Sequence, residues 1–214
     1  MSRICNNLHE LFNSLPSHKF PFNAKNIPLN GIYVLFEKNE PAHNKNRIVR
    51  IGTHTGNNQL ISRLKQHFIN ENKDRSIFRK NIGRALLNKN KDNFLSQWEL
   101  DLTTREAKDK HTSLIDFDKQ REVEKEVSKY IRENFSFVVF EVKNKEQRLK
   151  LESKLISTIS LCEECKPSKN WLGLFSPKEK IRNSGLWNVN ELNKEPLSEE
   201  EFENLKLIIK QISF

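Results

Sequence analysis

A few side chains in this sequence are of types, and at spacings, that suit chemistry better than packing. Glu152 falls inside an apolar helical stripe of Leu149, Leu155, Ile156 and Ile159. A carboxylate there is costly unless it is paired or holds a metal. Arg63 and His67 are four residues apart, which at ~100° per residue puts them about 40° apart beside the stripe Leu60, Leu64, Phe68. Tyr33, one of only two tyrosines, alternates in GIYVLFE onto the face opposite Ile32, Val34 and Phe36. A hard oxygen ligand, a guanidinium that grips phosphate with paired hydrogen bonds, an imidazole and a phenol together suit hydrolysis of a phosphodiester bond.

These groups need elements to bring them together. GIYVLFE from Gly31 and RIVRIG (Arg47 to Gly52) read as two strands, with Arg47, Val49 and Ile51 alternating against Ile48, Arg50 and Gly52. Turn chemistry in Lys38 to Asn46 makes them a hairpin with a long loop. THTGNN leads into a helix through Ile69, and a second helix is expected from Ser76 to Leu87. FLSQWEL has the look of a strand, and DLTTREAKDKHTS that of an exposed excursion. A charged helix over Lys119 to Glu133, a third strand over Ser136 to Val142 and an amphipathic helix over Lys145 to Leu161 follow. Ser198 with Glu201 forms a capping box for a last helix carrying Phe202, Leu205, Ile209 and Ile212. A short helix near Leu8 to Leu15 precedes everything. The order predicts an α+β fold with a small three-stranded sheet flanked by helices.

Charge is concentrated. The 214 residues carry 37 Lys and Arg against 28 Asp and Glu, for a net +9. Nine cations lie between Leu60 and Lys91, opposed only by Glu71 and Asp74. Such a stretch fits a polyanion, because each Lys or Arg meeting a phosphate releases a condensed counterion. Arg75, Arg79, Lys80 and Arg84 are the candidate nucleic-acid contacts. The longest apolar run, Ile32 to Phe36, is far short of the ~20 residues a membrane span needs. With no secretory pattern and three cysteines, the expectation is a soluble cytoplasmic protein. Cys162 and Cys165 form one Cys-x-x-Cys, which only Cys5 or a distant histidine could complete into a zinc site, so ordinary reduced thiols are the expectation.

Taken in order, Gly31-Ile32-Tyr33, Arg50-Ile51-Gly52, Arg63, His67, Glu152 and Asn170 resemble the GIY-YIG nuclease superfamily. The resemblance covers roughly Asn30 to Trp171, and implies a nuclease domain over 30–171 with an insertion at about 88–134. Residues 1–29 and 172–214 are then extensions. It implies that Tyr33 holds and deprotonates the attacking water, Arg63 stabilises the scissile phosphate, and His67 orients Tyr33 or the phosphate. Glu152 would be the one protein ligand of a Mg²⁺ or Mn²⁺ ion, with Asn170 fixing nearby geometry. Gly31 and Gly52 would allow close approach. The sequence departs from the family at Arg50, which replaces the second tyrosine. Either its charge substitutes for that tyrosine, or His54 stands in, or catalysis is impaired.

The resulting expectation is a metal-dependent endonuclease acting on DNA, with RNA a second substrate class, no membrane partner, and a homodimer wherever both strands are cut at once. Its rivals are a binding module that has lost catalysis through Arg50, and an assembly protein using helices 119–133 and 198–212.

Overall fold

The structure is a computed structural model and describes residues 2–210. A helix α1 (Ser2–Asn13) precedes a two-residue strand β1 (His18–Lys19) and a long hairpin of β2 (Gly31–Ala42) and β3 (Lys45–Gly52). The helices α2 (Leu60–Phe68), α3 (Ile77–Lys89), α4 (Leu95–Glu99), α5 (Arg105–His111) and α6 (Phe117–Asn134) lead to strand β4 (Phe135–Glu141). The chain closes with α7 (Lys145–Ser160), the short α8 (Glu179–Ser184) and α9 (Glu199–Lys210). The fold is α+β. All strands pair antiparallel in the order β1-β4-β2-β3, so the sheet has four strands rather than three. The extra one is the brief pairing of His18 and Lys19 with Phe137 and Ser136.

The expected long hairpin loop is a two-residue turn. His43 and Asn44 both take positive φ, 49° and 57°, as a type I′ turn requires. Asn39 at φ 64° absorbs one register shift upstream. A second shift skips Val49, since Leu35 pairs with Arg50 but Phe36 with Ile48. This bulge puts Ile48 and Ile51 on the same face instead of opposite ones.

β2 alternates as its sequence dictates. Ile32, Val34 and Phe36 join Cys5, Leu8 and Phe12 of α1, Leu155 and Ile159 of α7, and Leu205 and Ile209 of α9. Tyr33 and Leu35 join Leu64 and Phe68 of α2, Phe78 and Ile82 of α3, and Val127 and Ile131 of α6. Both flanking regions, 1–29 and 172–210, therefore contribute to the two cores. FLSQWEL is helical in part: α4 seats Trp98 against α3, its Nε1 donating to the Lys80 carbonyl at 3.0 Å, and any side chain at Gly83 would strike the indole. The expected excursion holds α5, whose seven residues leave no side chain buried. The Ser198–Glu201 capping box forms with reciprocal 3.1 Å bonds; Ile212, expected on the apolar face of that helix, lies outside the described residues.

Four of the nine cations in the basic stretch, Lys73, Arg79, Lys80 and Arg84, are buried. Arg79 is fully buried and forms a fork on Glu124 of α6, with Nε and Nη2 at 3.0 and 2.6 Å from Oε2. Its remaining donors reach the His67 carbonyl, the Glu124 carbonyl and Ser128 Oγ. Arg84 is bidentate to Glu99 at 2.6 Å on both arms, and Lys80 donates to the Glu99 carbonyl at 2.9 Å with Asp74 at 3.8 Å. These three residues are buried and do not form the expected phosphate-facing surface; Arg75 alone of the four is exposed. Counting charge in a sequence window misses carboxylates supplied from 15 to 45 residues away.

Breaking a buried pair leaves an unpaired charge, at a cost of about 3–5 kcal/mol. Arg79→Ala should therefore lower unfolding free energy by about that amount in urea melts, whereas Arg75→Ala should change it by under about 0.5 kcal/mol. Near-native stability of Arg79→Ala together with weakened DNA binding would return Arg79 to the surface role.

Candidate active site

Tyr33 enters the helical side of the sheet beneath β3. Its hydroxyl lies where a Cβ on Gly52 would be, so only glycine fits at that position. Gly31 is constrained in the same way by the Phe140 carbonyl of β4. The first glycine thus allows approach of a strand, and the second makes room for a phenol. Tyr33 Oη lies 2.8 Å from His67 Nε2 and accepts from Arg50 Nε at 3.4 Å. Because Arg50 is the donor to the oxygen, the hydroxyl proton is left for His67. The other ring nitrogen, Nδ1, then donates to Ser76 Oγ at 2.7 Å. Ser76 is the N-cap of α3, accepting from the Arg79 N–H at 3.2 Å. His67 is wholly buried, and burial first, then the charges of Arg63, Arg50 and Arg79, holds its imidazole well below the ordinary range. It is neutral at physiological pH.

Arg50 is aimed by a segment far along the chain. Its Nη1 donates to the Trp187 carbonyl at 3.0 Å. The Trp187 N–H in turn donates to Val49 O at 2.8 Å, and Asn188 exchanges two bonds with the backbone of Ile51, at 3.1 and 2.9 Å. Residues 187–188 thus close the free edge of β3. Trp187 and Trp171 are held by Glu37, whose Oε2 accepts both indole N–H groups, at 2.9 and 2.8 Å.

Glu152 projects from α7 toward the end of β3. Its Oε1 accepts the Thr53 N–H at 2.9 Å, and Oε2 has no hydrogen-bond partner among the described residues. Burial holds the carboxyl above its usual range, opposed by Arg50, by the Thr53 N–H and by Arg63. A cleft of about 260 Å³ opens beside it, lined by Thr53, His54, Thr55, Gln59, Ser62, Arg63 and Gln66. Arg63 is half-buried here, its Nη1 donating to Gln66 Oε1 and the Arg75 carbonyl, both at 3.1 Å. His54 lies just under the surface with both nitrogens used, Nδ1 donating to Gly56 O at 2.6 Å and Nε2 accepting from Gly31 N at 3.4 Å. It is a fixed wall and does not stand in for the missing tyrosine.

Arg47, Arg79 and Arg84 each meet a carboxylate. Arg50, Arg63 and Arg148 have only carbonyl, amide and phenol acceptors among the described residues. Arg63 thus lines the cleft without a carboxylate in salt-bridge contact, and Glu152 is the anion whose charge Arg50, Arg63 and Arg148 act on, a setting for a phosphate. A single free carboxylate oxygen beside it fits a hard divalent ion whose other positions are taken by water and phosphate oxygens.

Asn170 does not join this group. It is exposed in the turn before Trp171 and makes none of the hydrogen bonds that tie the cluster. Asn188, Trp187, Ser76 and Arg148 are the residues that sequence reasoning missed. Ser76 has a signal, a serine directly before an apolar-periodic helix; Asn188 has none, because its partner lies 137 residues upstream.

A lone carboxylate beside unpaired guanidiniums and a tyrosine–histidine pair suits the class of hydrolases that cut nucleic-acid backbones. Residues 5–213 match the family model described as GIY-YIG domain, and the chain belongs to this family of nucleases. Comparison with curated proteins and with solved structures finds no match.

The raised Glu152 carboxyl has a consequence for stability. Unfolded chains ionise this group from about pH 4.5, whereas the folded one resists, so stability falls as pH rises from there through the higher folded value. Glu152→Gln removes that loss and keeps an acceptor for Thr53. In EDTA at pH 7.5 its melting temperature should equal or exceed that of the parent, by about 2–4 °C per kcal/mol relieved. Mg²⁺ should raise the parent's melting temperature and leave the variant's unchanged. A variant that melts lower at pH 7.5 would make the carboxylate charge a structural partner instead.

Proposed function

We propose that the protein is a Mg²⁺- or Mn²⁺-dependent endonuclease that hydrolyses DNA. The observation that carries this reading is that Arg63, without a carboxylate partner, lines a cleft with Thr53, and that Glu152, just behind that lining, is bonded to the Thr53 N–H through Oε1 and keeps Oε2 without a hydrogen-bond partner. Arg63 binds the scissile phosphate and offsets charge developing on its oxygens, often the largest single contribution to such catalysis. Exposed Arg75 and Lys65 flank it along the backbone. Tyr33 orients the attacking water, its own O–H donated to Nε2 of His67, which its surroundings keep neutral. The new oxygen–phosphorus bond forms as the bond to the leaving oxygen breaks; the water's proton passes to solvent, and the leaving oxygen takes one from solvent. Arg50 donates to the same phenol oxygen and fixes its position beside His67. A divalent ion on Glu152 supplies Lewis acidity toward a phosphoryl oxygen.

One observation favours the rival reading of a catalytically silent DNA-binding module: Tyr33 is fully buried, with 0% of its surface exposed. A nicking assay on supercoiled plasmid, with Mg²⁺ and with EDTA, separates the two. Under the nuclease reading Mg²⁺ supports nicking and EDTA abolishes it. Glu152→Ala and Arg63→Ala lower turnover by about 10²-fold or more with DNA affinity changed only a few-fold. Tyr33→Phe does the same while leaving packing intact. Parent and Glu152→Ala equally inert, yet binding DNA with a steep salt dependence, would establish the module. Undiminished cleavage by Tyr33→Phe would assign the water to another group.

A further inference from the structure

On the far side of the sheet from the cleft, three elements bring their sulfur and imidazole groups to one point. Cys5 comes from α1, His43 from the β2–β3 turn, and Cys162 and Cys165 from the turn that follows α7. Sγ of Cys5 and Sγ of Cys165 are 3.2 Å apart. His43 Nε2 lies 3.2 Å from Cys165 Sγ and 3.5 Å from Cys162 Sγ. The three thiols are buried and unbridged. Zn–S bonds of ~2.3 Å and Zn–N bonds of ~2.05 Å at tetrahedral angles place sulfurs about 3.8 Å apart, and sulfur and nitrogen about 3.6 Å apart. The two sulfur–nitrogen separations are within about 0.4 Å of the second value, and the sulfur–sulfur separation is about 0.6 Å shorter than the first. They are also far beyond the ~2.05 Å of a disulfide.

We propose that Cys5, His43, Cys162 and Cys165 bind one structural Zn²⁺ ion. Thiolate and imidazole donors select this metal among common divalent ions, and four protein ligands leave it no open position for catalysis. His43 is already oriented for the task. Its Nδ1 lies 3.4 Å from the Glu164 carboxylate, which fixes the proton on Nδ1 and turns the Nε2 lone pair toward the sulfurs. Glu164 is itself held by a hydrogen bond from Ser2 Oγ.

His9 is the competing ligand: Cys5, His9, His43 and Cys165 are the four whose ligand atoms all lie within 4.8 Å of one another, whereas Cys162 joins through its 3.5 Å contact with His43 Nε2. Both ring nitrogens of His9 are spoken for. Nδ1 donates to the Cys5 carbonyl at 2.9 Å and Nε2 accepts the Ile48 N–H at 3.2 Å. Taking a metal through Nε2 would orphan a buried backbone donor, whereas Cys162 has no such duty. His9 instead packs its ring against His43, centroids 4.9 Å apart. A lone Cys-x-x-Cys does not reveal that α1 and a hairpin tip bring Cys5 and His43 beside it. The ion would staple α1 and the hairpin to the end of α7, the helix that carries Glu152, so its free energy of binding would be free energy of folding.

The test is metal analysis of the full chain, purified without chelator from zinc-containing medium. One zinc per chain is expected, released in step with thiol modification by a mercurial, and cobalt exchange should give the visible bands of a tetrahedral site with thiolate charge transfer. Cys162→Ser and His43→Ala should lose the metal, and His9→Gln should retain it. Thermal stability of the parent should fall on treatment with a strong zinc chelator. No zinc above the blank with three titratable thiols would overturn the proposal, as would a single free thiol indicating a disulfide. Zinc kept by Cys162→Ser but lost from His9→Gln would overturn the ligand assignment. The parent protein alone decides the first two outcomes, even where a variant does not fold.

Discussion

Buried charge must be matched, and that requirement organises this molecule. The interior holds Arg47, Arg79, Arg148 and Lys73 with almost no exposure. Each is fixed by acceptors that come from somewhere else in the chain. Arg47 meets Glu40 across the hairpin, Arg79 meets Glu124 of α6, and Lys73 meets Asp74 and the Leu100 carbonyl. An unmatched partner of any of these would cost several kcal/mol, a large share of a domain's marginal stability. The pairs therefore decide which helices lie against which faces of the sheet.

The same requirement, relaxed in one region, produces the site. Around the cleft, Arg50, Arg63 and Arg148 are held by neutral acceptors, so their charge stays available to a ligand. Their placement is indirect. Glu37 accepts hydrogen bonds from two tryptophan indoles and from Tyr130, and burial pushes its carboxyl up. That anchor sets Trp187, whose backbone aims Arg50, whose guanidinium in turn donates to Tyr33. A chain of ordinary hydrogen bonds thus connects a carboxylate in the core to the phenol, with no need for backbone strain at the site.

The sequence was legible where pattern is local. The alternation in β2, the helical stripes of α2 and α7 and the capping box of α9 each follow from residues a few positions apart, and the first two bring Tyr33 and His67 into contact. Legibility ended where the partner is distant. Arg79, Lys80 and Arg84 read as a surface because Glu124 and Glu99 belong to other segments. Asn188 was not legible because its partner Ile51 lies 137 residues away. The bulge at Val49 and the tight turn at His43 and Asn44 are settled by pairing across the sheet, which no window of sequence contains.

The edge of β3 is finished by residues 187 and 188, which also supply the acceptor that turns Arg50 toward the phenol. A ribosome making this polypeptide therefore releases the first 180 residues with the sheet border open and the guanidinium unaimed. The nascent product remains an unfinished blade until its final stretch leaves the exit tunnel and docks. For a member of a nuclease family, order of synthesis would then delay the finished site until residues 187 and 188 have docked.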